Sequence, residues 1–401
     1  MEAGRHRRDR RSRTAARNVA TPDRRGDPVS QGEVPVRGKV PDHIARIKQY
    51  IPGTPEEDVP AAAGQDKPLK LASNENPLGP SPRALEAAWT ALKRCHRYPD
   101  GSGRLLREAL STHWGLSMEQ IVLGNGSTEL VEILARTFLG KDDWAVMAQQ
   151  SFIMYRIAVM AVHGHFREIP LREMRHDLVA MASACDERTA LLYIANPNNP
   201  TGTYVSNTAL DEYFRQVPPS VLTVLDEAYG EYLQSDDYPL GLEYLRKGRR
   251  VVVLRTFSKA YGLAGLRLGY ALASAEVASA MERVRSPFNT NRVAQAAALA
   301  ALGDEEHLRR SREMNRNGLA YLEEQFLQRG LRFTPSAANF ILVHFDRSAQ
   351  EVYQSLLELG VITRPMTPYG FPQSLRITVG GDAENARLVG ALDKVRAAAG
   401  R

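Results

Sequence analysis

The chain alternates between short, almost wholly apolar runs and longer stretches in which apolar residues recur every three or four positions. Short apolar runs bounded by turn-forming residues are typical of strands buried in a parallel sheet. They predict strands at 121–123, 189–195, 221–226, 250–255 and 267–273. The periodic stretches between several of these runs predict helices. This alternation indicates an α/β domain whose central sheet is mostly parallel and flanked by helices.

Two of the helical stretches are well marked. Residues 81–94 begin with Ser81-Pro82, a common helix start, and then carry apolar residues at helical spacing, namely Leu85, Ala88, Trp89 and Leu92. Residues 291–330 predict a long helix with a break near Gly303-Asp304. The final 70 residues mix strand and helix patterns, so we expect a second, smaller α+β domain at the C-terminus.

Charge is unevenly distributed along the chain. Residues 1–39 contain eleven basic and five acidic residues and so hold the whole net charge of +6, while the rest carries 41 of each. This basic leader has few apolar residues and no periodicity, so we expect it to be disordered. A transit peptide, a nucleic-acid-binding arm and a start codon placed too early are the alternatives. The folded body has no basic bias, and no nucleic-acid partner is expected.

Several classes of protein are disfavoured by composition. No apolar run approaches the roughly 20 residues that span a bilayer, so no membrane partner is expected. The only cysteines, Cys95 and Cys185, cannot form a disulfide framework, which favours an intracellular, cytoplasmic protein. His163 and His165 lie two positions apart, but no cysteine or carboxylate stands at ligand spacing, so no metal site is expected.

The strongest chemical signal is a fifteen-residue run that begins at Thr256, TFSKAYGLAGLRLGY. It follows the strand predicted at 250–255, and reactive groups in open α/β sheets collect at the carboxyl ends of strands. Lys259 stands where its amine could condense with an aldehyde. Ser258 and Arg267 could both hold a phosphate. A lone Ser-Lys pair would be an ordinary surface feature, but the whole run predicts a cofactor site.

Two further motifs follow predicted strands. Asp226 ends the strand at 221–226, and its carboxylate could pair with a protonated pyridine nitrogen, while Tyr229 could donate to a phenolic oxygen. Alone, this motif fits an acidic helix cap equally well. The segment NPNNPTG at 196–202 forces a turn after the strand at 189–195, and an Asn amide held there could donate to a ring oxygen. Such turns are also common in ordinary loops.

A glycine-containing segment lies at a predicted strand-to-helix junction, Gly124-Asn125-Gly126-Ser127-Thr128. Glycine lets the backbone approach a ligand closely, and the start of a helix favours an anion, so the segment predicts a phosphate cup. Taken alone the signal is weak, because glycine turns before helices are widespread. The glycine spacing of a dinucleotide-binding fingerprint is not met.

Together, and in this order along the chain, these motifs resemble the fold-type I aminotransferases that depend on pyridoxal 5′-phosphate (PLP), and within them the histidinol-phosphate aminotransferase branch. The resemblance runs from about Val40 to the C-terminus. It also rests on YIPG at 50–53, LASNENPLG at 71–79, YPDG at 98–101, PFN at 287–289, NF at 339–340, RPM at 364–366 and LRITVG at 375–380.

The resemblance implies a domain plan. A large PLP-binding domain would cover residues 73–290, and a small α+β domain would cover 291–401. The N-terminal arm at 40–72 would belong to the small domain and act as a lid over the substrate. The resemblance also implies a homodimer with shared active sites.

The resemblance implies a role for each matching residue. Lys259 would bind the cofactor covalently and carry the proton during transfer, with Asp226 and Tyr229 completing the catalytic group. Asp226 would pair with the pyridine nitrogen. The other cofactor contacts would be Asn199 and Tyr229 at the phenolic oxygen, Ser127, Thr128, Ser258 and Arg267 at the phosphate, and Tyr98 at the phosphate of the neighbouring subunit. The substrate would be bound by Arg376, Arg364, Asn199 and Tyr50.

One residue departs from the family pattern. The family usually places a tyrosine over the pyridine ring, and this chain has Phe152 in that position. A phenyl ring can still stack on the cofactor, but the hydroxyl that could contact substrate is lost. Cofactor binding is therefore still expected, and the substrate preference is left open by this residue. The 39-residue leader is also atypical.

The reaction implied is transfer of an amino group between L-histidinol phosphate and 2-oxoglutarate, a step of histidine biosynthesis. One guanidinium can bind both the phosphate of histidinol phosphate and a carboxylate of 2-oxoglutarate, because its N–H groups match either anion. Two alternatives share the cofactor residues: an aminotransferase for phenylalanine or another aromatic amino acid, and a decarboxylase of the threonine-phosphate type. A PLP-sensing transcription regulator would need a DNA-binding domain of about 60 residues, and the leader shows no helix-turn-helix pattern.

Overall fold

Residues 40–60 and 67–399 are described by the computed structural model. The predicted disorder of the basic leader at 1–39 therefore lies outside the described residues. One compact unit begins at Asp42 and contains every helix and strand of the described part. Within that part, no helix has both the length and the apolar character that crossing a membrane requires.

The chain forms strands in three sheets. The bounds are β1 (Leu69–Lys70), β2 (Ile121–Gly124), β3 (Trp144–Ala148), β4 (His165–Ile169), β5 (Thr189–Ala195), β6 (Leu222–Asp226), β7 (Val251–Thr256), β8 (Gly269–Leu272), β9 (Arg332–Thr334), β10 (Phe340–His344), β11 (Val361–Ile362), β12 (Arg364–Met366) and β13 (Phe371–Thr378).

The helices lie before, between and after these strands. Their bounds are α1 (Asp42–Ala45), α2 (Pro82–Leu92), α3 (Arg104–Trp114), α4 (Gly126–Phe138), α5 (Met154–Ala161), α6 (Leu178–Ser183), α7 (Asn207–Gln216), α8 (Gly241–Arg246), α9 (Ala275–Glu282), α10 (Arg292–Leu302), α11 (Glu305–Gln328), α12 (Ala349–Glu358) and α13 (Asp382–Ala399). The predicted break in the long helix near Gly303-Asp304 is confirmed, because Asp304 caps α11 through its side chain.

The largest sheet has seven strands in the order β2-β8-β7-β6-β5-β3-β4. All neighbouring pairs are parallel except those of β8, which runs antiparallel to both β2 and β7. The predicted, mostly parallel sheet is therefore confirmed. Its central strands β5, β6 and β7 are almost completely buried, as expected for strands covered by helices on both faces.

The smaller domain is built on an antiparallel sheet in the order β12-β13-β10-β9. Beside it, β1 from the N-terminal arm pairs in parallel with β11, Leu69 opposite Val361. Leu322 and Phe326 of α11 belong to the core of this domain, whereas the buried alanines of α10 join the core of the large sheet. We therefore propose that the boundary between the domains lies within α11 and not at residue 291.

The apolar face predicted for the 81–94 helix is solvent-exposed in this chain. Ala84 of α2 is buried, and α2 packs along α10, but Leu85, Trp89 and Leu92 are 55%, 67% and 46% exposed. The physical reason is that α10 offers small alanine side chains, so the two helices meet through small residues and the large ones point away.

Candidate active site

One cavity lies at the carboxyl ends of β5, β6 and β7, where three of the predicted motifs follow neighbouring strands. Twelve of the thirteen predicted site residues line it: Tyr50, Ser127, Thr128, Phe152, Asn199, Asp226, Tyr229, Ser258, Lys259, Arg267, Arg364 and Arg376. The exception is Tyr98. Because parallel strands end at the same edge of a sheet, motifs far apart in sequence meet there.

Lys259 lies three residues after β7 and points its amine into the cavity. Its Nζ donates to the carbonyl oxygens of Ser73 and Asn74, at 3.2 and 3.1 Å. Burial of the amino group lowers the pKa of Lys259 to about 7, and the nearby positive charge of Arg376 acts in the same direction. A sizeable fraction of this amine is therefore neutral near pH 7, as a nucleophile requires.

Asp226 is the last residue of β6 and is buried. Its Oδ2 accepts a hydrogen bond from the Tyr155 hydroxyl at 2.8 Å, and its Oδ1 accepts one from the backbone N–H of Ala228 at 3.2 Å. Burial raises the pKa of this carboxyl group to about 6, while these two hydrogen bonds oppose the shift. A buried carboxylate suits a cationic partner in the cavity.

An anion cup forms where α4 begins. Ser127 and Thr128 lie in the first turn of this helix, whose free N–H groups and dipole favour a negative charge. Arg267 reaches the same place, and its Nη1 donates to the Ser258 hydroxyl at 3.2 Å. A Cβ at Gly126, which has a φ of 78°, would collide with the Arg267 guanidinium. The cup thus fits the phosphate of PLP, and glycine is needed to leave room for the arginine.

Arg376 lies in β13 and connects the small domain to the cavity. Its Nη1 donates to the Asn199 side-chain oxygen at 2.6 Å, and its Nη2 donates to the Ala72 carbonyl at 2.8 Å. Its Nε is buried and has no hydrogen-bond partner among residues 40–60 and 67–399. An unpaired buried donor on a guanidinium is a place for an anionic ligand atom.

The N-terminal arm lies against a second arginine of the cavity. Arg364 Nη2 donates to the Ile51 carbonyl at 2.5 Å, and its guanidinium lies 5.8 Å from the centre of the Tyr50 ring. Tyr50 remains 45% exposed, so it stands at the mouth of the cavity. Two cationic side chains, Arg364 and Arg376, therefore lie along the end of the cavity formed by the arm and the small domain.

Phe152 and Tyr229 are the aromatic residues predicted for the cofactor ring. Phe152 lines the cavity just before α5 and packs edge-to-face on Tyr155, with ring centres 5.6 Å apart. Tyr229 accepts a hydrogen bond from the Asn74 side chain at 2.9 Å, and burial raises its pKa to about 12, so its hydroxyl stays protonated. Tyr229 is thus able to donate a hydrogen bond across the cavity.

Two residues of the site were missed by sequence reasoning. Asn74 lies just after the arm, and its side chain donates to Tyr229 while its carbonyl oxygen accepts from Lys259. The Tyr155 hydroxyl donates a hydrogen bond to the Asp226 carboxylate. Asn74 lies in the LASNENPLG segment, which supported the family resemblance, but the sequence analysis assigned no role to any single residue of that segment. Tyr155 gave no signal, since it has the helical spacing of an ordinary core residue.

Tyr98 lies outside the cavity of this chain. It is 78% exposed and stacks on Phe288, with ring centres 4.7 Å apart. Its backbone oxygen accepts a hydrogen bond from Arg292 at 2.5 Å, which places it at the start of α10. An exposed aromatic pair beside a helix is available to a second molecule, so the role expected for Tyr98 at a neighbouring subunit stays a prediction.

A family model described as aminotransferase class I and II matches residues 66–392. The chain belongs to this family of class I and II aminotransferases, and the predicted family and fold class are confirmed. Among curated proteins it is similar to a histidinol-phosphate aminotransferase of Moorella thermoacetica, 46% identical over 93% of this chain and 96% of that protein. It is also similar to histidinol-phosphate aminotransferase 2 of Pseudomonas aeruginosa, 47% identical over 88% and 96%.

Solved structures agree with this assignment. The fold is similar to that of histidinol-phosphate aminotransferase from Sinorhizobium meliloti in complex with PLP, with a TM-score of 0.81, 28% identity and coverage of 90% of this chain and 98% of that chain. It is also similar to a double mutant of Thermus thermophilus aspartate aminotransferase, with a TM-score of 0.73, 25% identity and coverage of 82% and 91%.

Proposed function

We propose that this chain is a PLP-dependent aminotransferase that moves an amino group from L-histidinol phosphate to 2-oxoglutarate. The observation that carries the proposal is a single cavity that joins a buried amine, a buried carboxylate, an anion cup and two arginines. The names of the similar curated proteins and of the PLP complex support the same substrate and cofactor.

The residues divide the chemical work between them. When bound, PLP supplies an aldehyde that takes up the amino group and a ring that withdraws electrons from the carbon that carries it. Lys259 holds the cofactor and, as a neutral amine, removes and returns the proton of that carbon. Asp226 balances the positive charge at the pyridine nitrogen. Ser127, Thr128, Ser258 and Arg267 hold the phosphate.

The substrate is held at the other end of the cavity. Arg376 offers its unpaired Nε to the anionic group of either substrate, the phosphate of the donor or the carboxylate of the acceptor. Arg364 supplies a second positive charge, and Tyr50 closes over the bound molecule from the N-terminal arm. Two cations suit a dianionic phosphate better than the single carboxylate of phenylalanine, which favours histidinol phosphate over the aromatic alternative.

A comparison of amino donors tests the substrate. The PLP-loaded protein is mixed with one amino donor at a time, and loss of the absorbance of the Lys259-bound cofactor is followed. We expect kcat/KM for L-histidinol phosphate to exceed that for L-phenylalanine by at least about 100-fold, because the single carboxylate of phenylalanine can pair with Arg376 but leaves Arg364 without an anionic partner. Addition of 2-oxoglutarate should restore the absorbance.

Two results would move the substrate assignment elsewhere. A faster reaction with phenylalanine than with histidinol phosphate would make the chain an aromatic aminotransferase. Release of carbon dioxide from L-threonine phosphate, without need of a 2-oxo acid, would make it a decarboxylase. The Arg364→Leu variant serves as the matched control, since it should lose rate with histidinol phosphate and change little with phenylalanine.

We also propose that the active enzyme is a homodimer, joined through the large exposed apolar residues that flank α10. These are Leu85, Trp89 and Leu92 of α2 together with Tyr98, Leu105 and Phe288. Such residues are costly on the surface of a monomer and are typical of a permanent interface. Tyr98 would then reach the active site of the other subunit.

Cys95 and Cys185 are both free thiols, which suits the reducing cytoplasm in which we place the enzyme.

The Trp89→Glu variant tests the dimer. Trp89 is 67% exposed, so the substitution leaves the core of the subunit intact but places a charge in the proposed interface. We expect sedimentation equilibrium at micromolar concentration to give the mass of a dimer for the wild type and of a monomer for Trp89→Glu. The control is Leu327→Glu, at an equally exposed apolar residue of α11. A dimeric Trp89→Glu protein, or a monomeric Leu327→Glu protein, would place the interface elsewhere.

A further inference from the structure

Tyr155 is a buried aromatic residue beneath the cavity that none of the predicted roles includes. It lies in the first turn of α5 and is 1% exposed. One face of its ring stacks on Tyr193, with ring centres 4.7 Å apart and planes 11° from parallel, and the edge of Phe152 packs near it. Contact with two aromatic rings in a buried position leaves the Tyr155 ring little freedom to turn.

The hydroxyl of Tyr155 is aimed at the carboxylate of Asp226, at 2.8 Å from Oδ2. An ionised carboxylate has no hydrogen to give, so Tyr155 is the donor. The other oxygen, Oδ1, accepts from the backbone N–H of Ala228 at 3.2 Å. With one donor on each oxygen, the carboxylate is fixed in rotation and its remaining lone pairs are open to the cavity.

Phe152 and Tyr155 are three residues apart at the start of α5, and they touch. This spacing brings residues to the same side of a helical turn. One turn of the chain therefore carries the phenyl ring that lines the cavity and the hydroxyl that holds the carboxylate. The relative placement of the stacking residue and of Asp226 is set by a single rigid segment.

We propose that Tyr155 is a positioning residue for amino-group transfer: its hydroxyl keeps Asp226 ionised and in one orientation toward the cofactor nitrogen. The inference rests on the proposed function, because it gives Asp226 the role of counter-ion to the PLP ring.

The charges around Asp226 show how much of this depends on Tyr155. Burial raises the pKa of the carboxyl group, and the negative charge of Glu227 adds to this effect. The Tyr155 hydroxyl, the Ala228 N–H and the positive charge of Lys259 lower it, with Tyr155 contributing the most among them. Tyr155 itself, buried against Tyr193, Tyr229 and Asp226, has a pKa well above its usual value and stays a donor. Removal of this hydroxyl should make Asp226 protonate at higher pH.

The matched experiment compares Tyr155→Phe with Tyr193→Phe. Tyr193 stacks on Tyr155 and is equally buried, but its hydroxyl has no hydrogen-bond partner among residues 40–60 and 67–399. Each protein is freed of PLP, and its dissociation constant for PLP is measured from pH 5 to 9 by equilibrium dialysis. An ionised Asp226 should favour binding, so affinity should fall on the acidic side.

We expect the acidic midpoint of PLP binding to move up by about one pH unit in Tyr155→Phe, because one of the two hydrogen bonds to the carboxylate is lost. Tyr193→Phe should follow the wild type. In the Tyr155→Phe protein, the rate of the half-reaction with histidinol phosphate should fall roughly tenfold. In an Asp226→Asn background, Tyr155→Phe should change neither quantity further, since both residues act as one unit.

Three outcomes would overturn the inference: a Tyr155→Phe midpoint equal to the wild type, a shift as large in Tyr193→Phe, or a full Tyr155→Phe effect in the Asp226→Asn background. If Tyr155→Phe does not fold, 3-fluorotyrosine at position 155 keeps the ring and makes the hydroxyl a stronger donor. The midpoint should then move to lower pH, and an unchanged midpoint would count against the inference. Failure of the wild type to bind PLP would instead contradict the proposed function.

Discussion

Replacement of Lys259 by alanine is expected to lower the rate of amino-group transfer by at least about 10⁴-fold, since both the covalent hold on the cofactor and the proton-transferring group are lost. The fold should survive, because among residues 40–60 and 67–399 the amine donates hydrogen bonds only to the carbonyl oxygens of Ser73 and Asn74. PLP should still bind through the phosphate cup and Asp226, which the substitution leaves in place. Single-turnover absorbance with histidinol phosphate measures the loss.

The control for this variant is Lys141→Ala, which removes an exposed lysine from the loop after α4 and should keep the wild-type rate. Borohydride treatment of the PLP-loaded proteins gives an independent measurement. Lys141→Ala and the wild type should carry the label on the peptide that contains residue 259, and Lys259→Ala should carry none. Turnover within tenfold of the wild type, or a label on another lysine, would remove Lys259 from its proposed role.

The centre of the large sheet was predictable from sequence, and its edge was not. β5, β6 and β7 lie between covered faces, so their residues form unbroken apolar runs, and the predicted strand at 189–195 matches β5 at both ends. β4 lies at the edge of the sheet, and its residues HFREI are only partly buried, with no apolar run to mark them. β3, which lies beside β4, is a short apolar run that does not stand out from the sequence on either side of it. Both strands were therefore missed.

The residues of the site also fall into a group that sequence could predict and a group that it could not. Asp226, Lys259 and Asn199 follow consecutive strands of a parallel sheet, and chain topology alone brings such residues together. Asn74 donates to Tyr229, which lies 155 residues away in sequence, and no period or motif marks that contact. A side chain that positions another side chain does so through contacts made only in the packed fold. Sequence reasoning therefore found the residues proposed to contact the cofactor and missed those, such as Asn74, that position them.

The exposed face of α2 shows a third limit. Helical spacing of Leu85, Trp89 and Leu92 indicates that one face of the helix is covered, but the pattern is the same whether its own subunit or a second one covers it. The structure shows that this chain leaves the three side chains exposed, because α2 meets the alanines of α10 with its opposite side.

Replacement of Asp226 by asparagine is expected to lower kcat roughly 10²- to 10³-fold, the loss found when a preorganised electrostatic partner is removed from an active site. Asparagine has nearly the same shape, and its carbonyl oxygen can still accept the hydrogen bond of Tyr155. The change therefore removes the charge and leaves the packing. Asp346→Asn, at a fully exposed carboxylate of the small domain, should keep the wild-type rate.

The same substitution should stabilise the PLP-free protein at pH 7.5, and this separates charge from shape. Burial holds the pKa of Asp226 at about 6 in the folded protein, against 3.8 in the unfolded chain. Below about pH 3 both states are protonated and folding is not penalised. As pH rises from about 3 to 6 the unfolded chain ionises first, so the folded state loses up to about 3 kcal/mol, and the loss stays nearly constant above about pH 6. Asparagine never ionises, so the variant should have the higher Tm at pH 7.5 and little advantage at about pH 3. A wild type more stable than the variant at pH 7.5 would mean that the carboxylate is satisfied without PLP, and Asp226 would then not be a charge held ready for the cofactor.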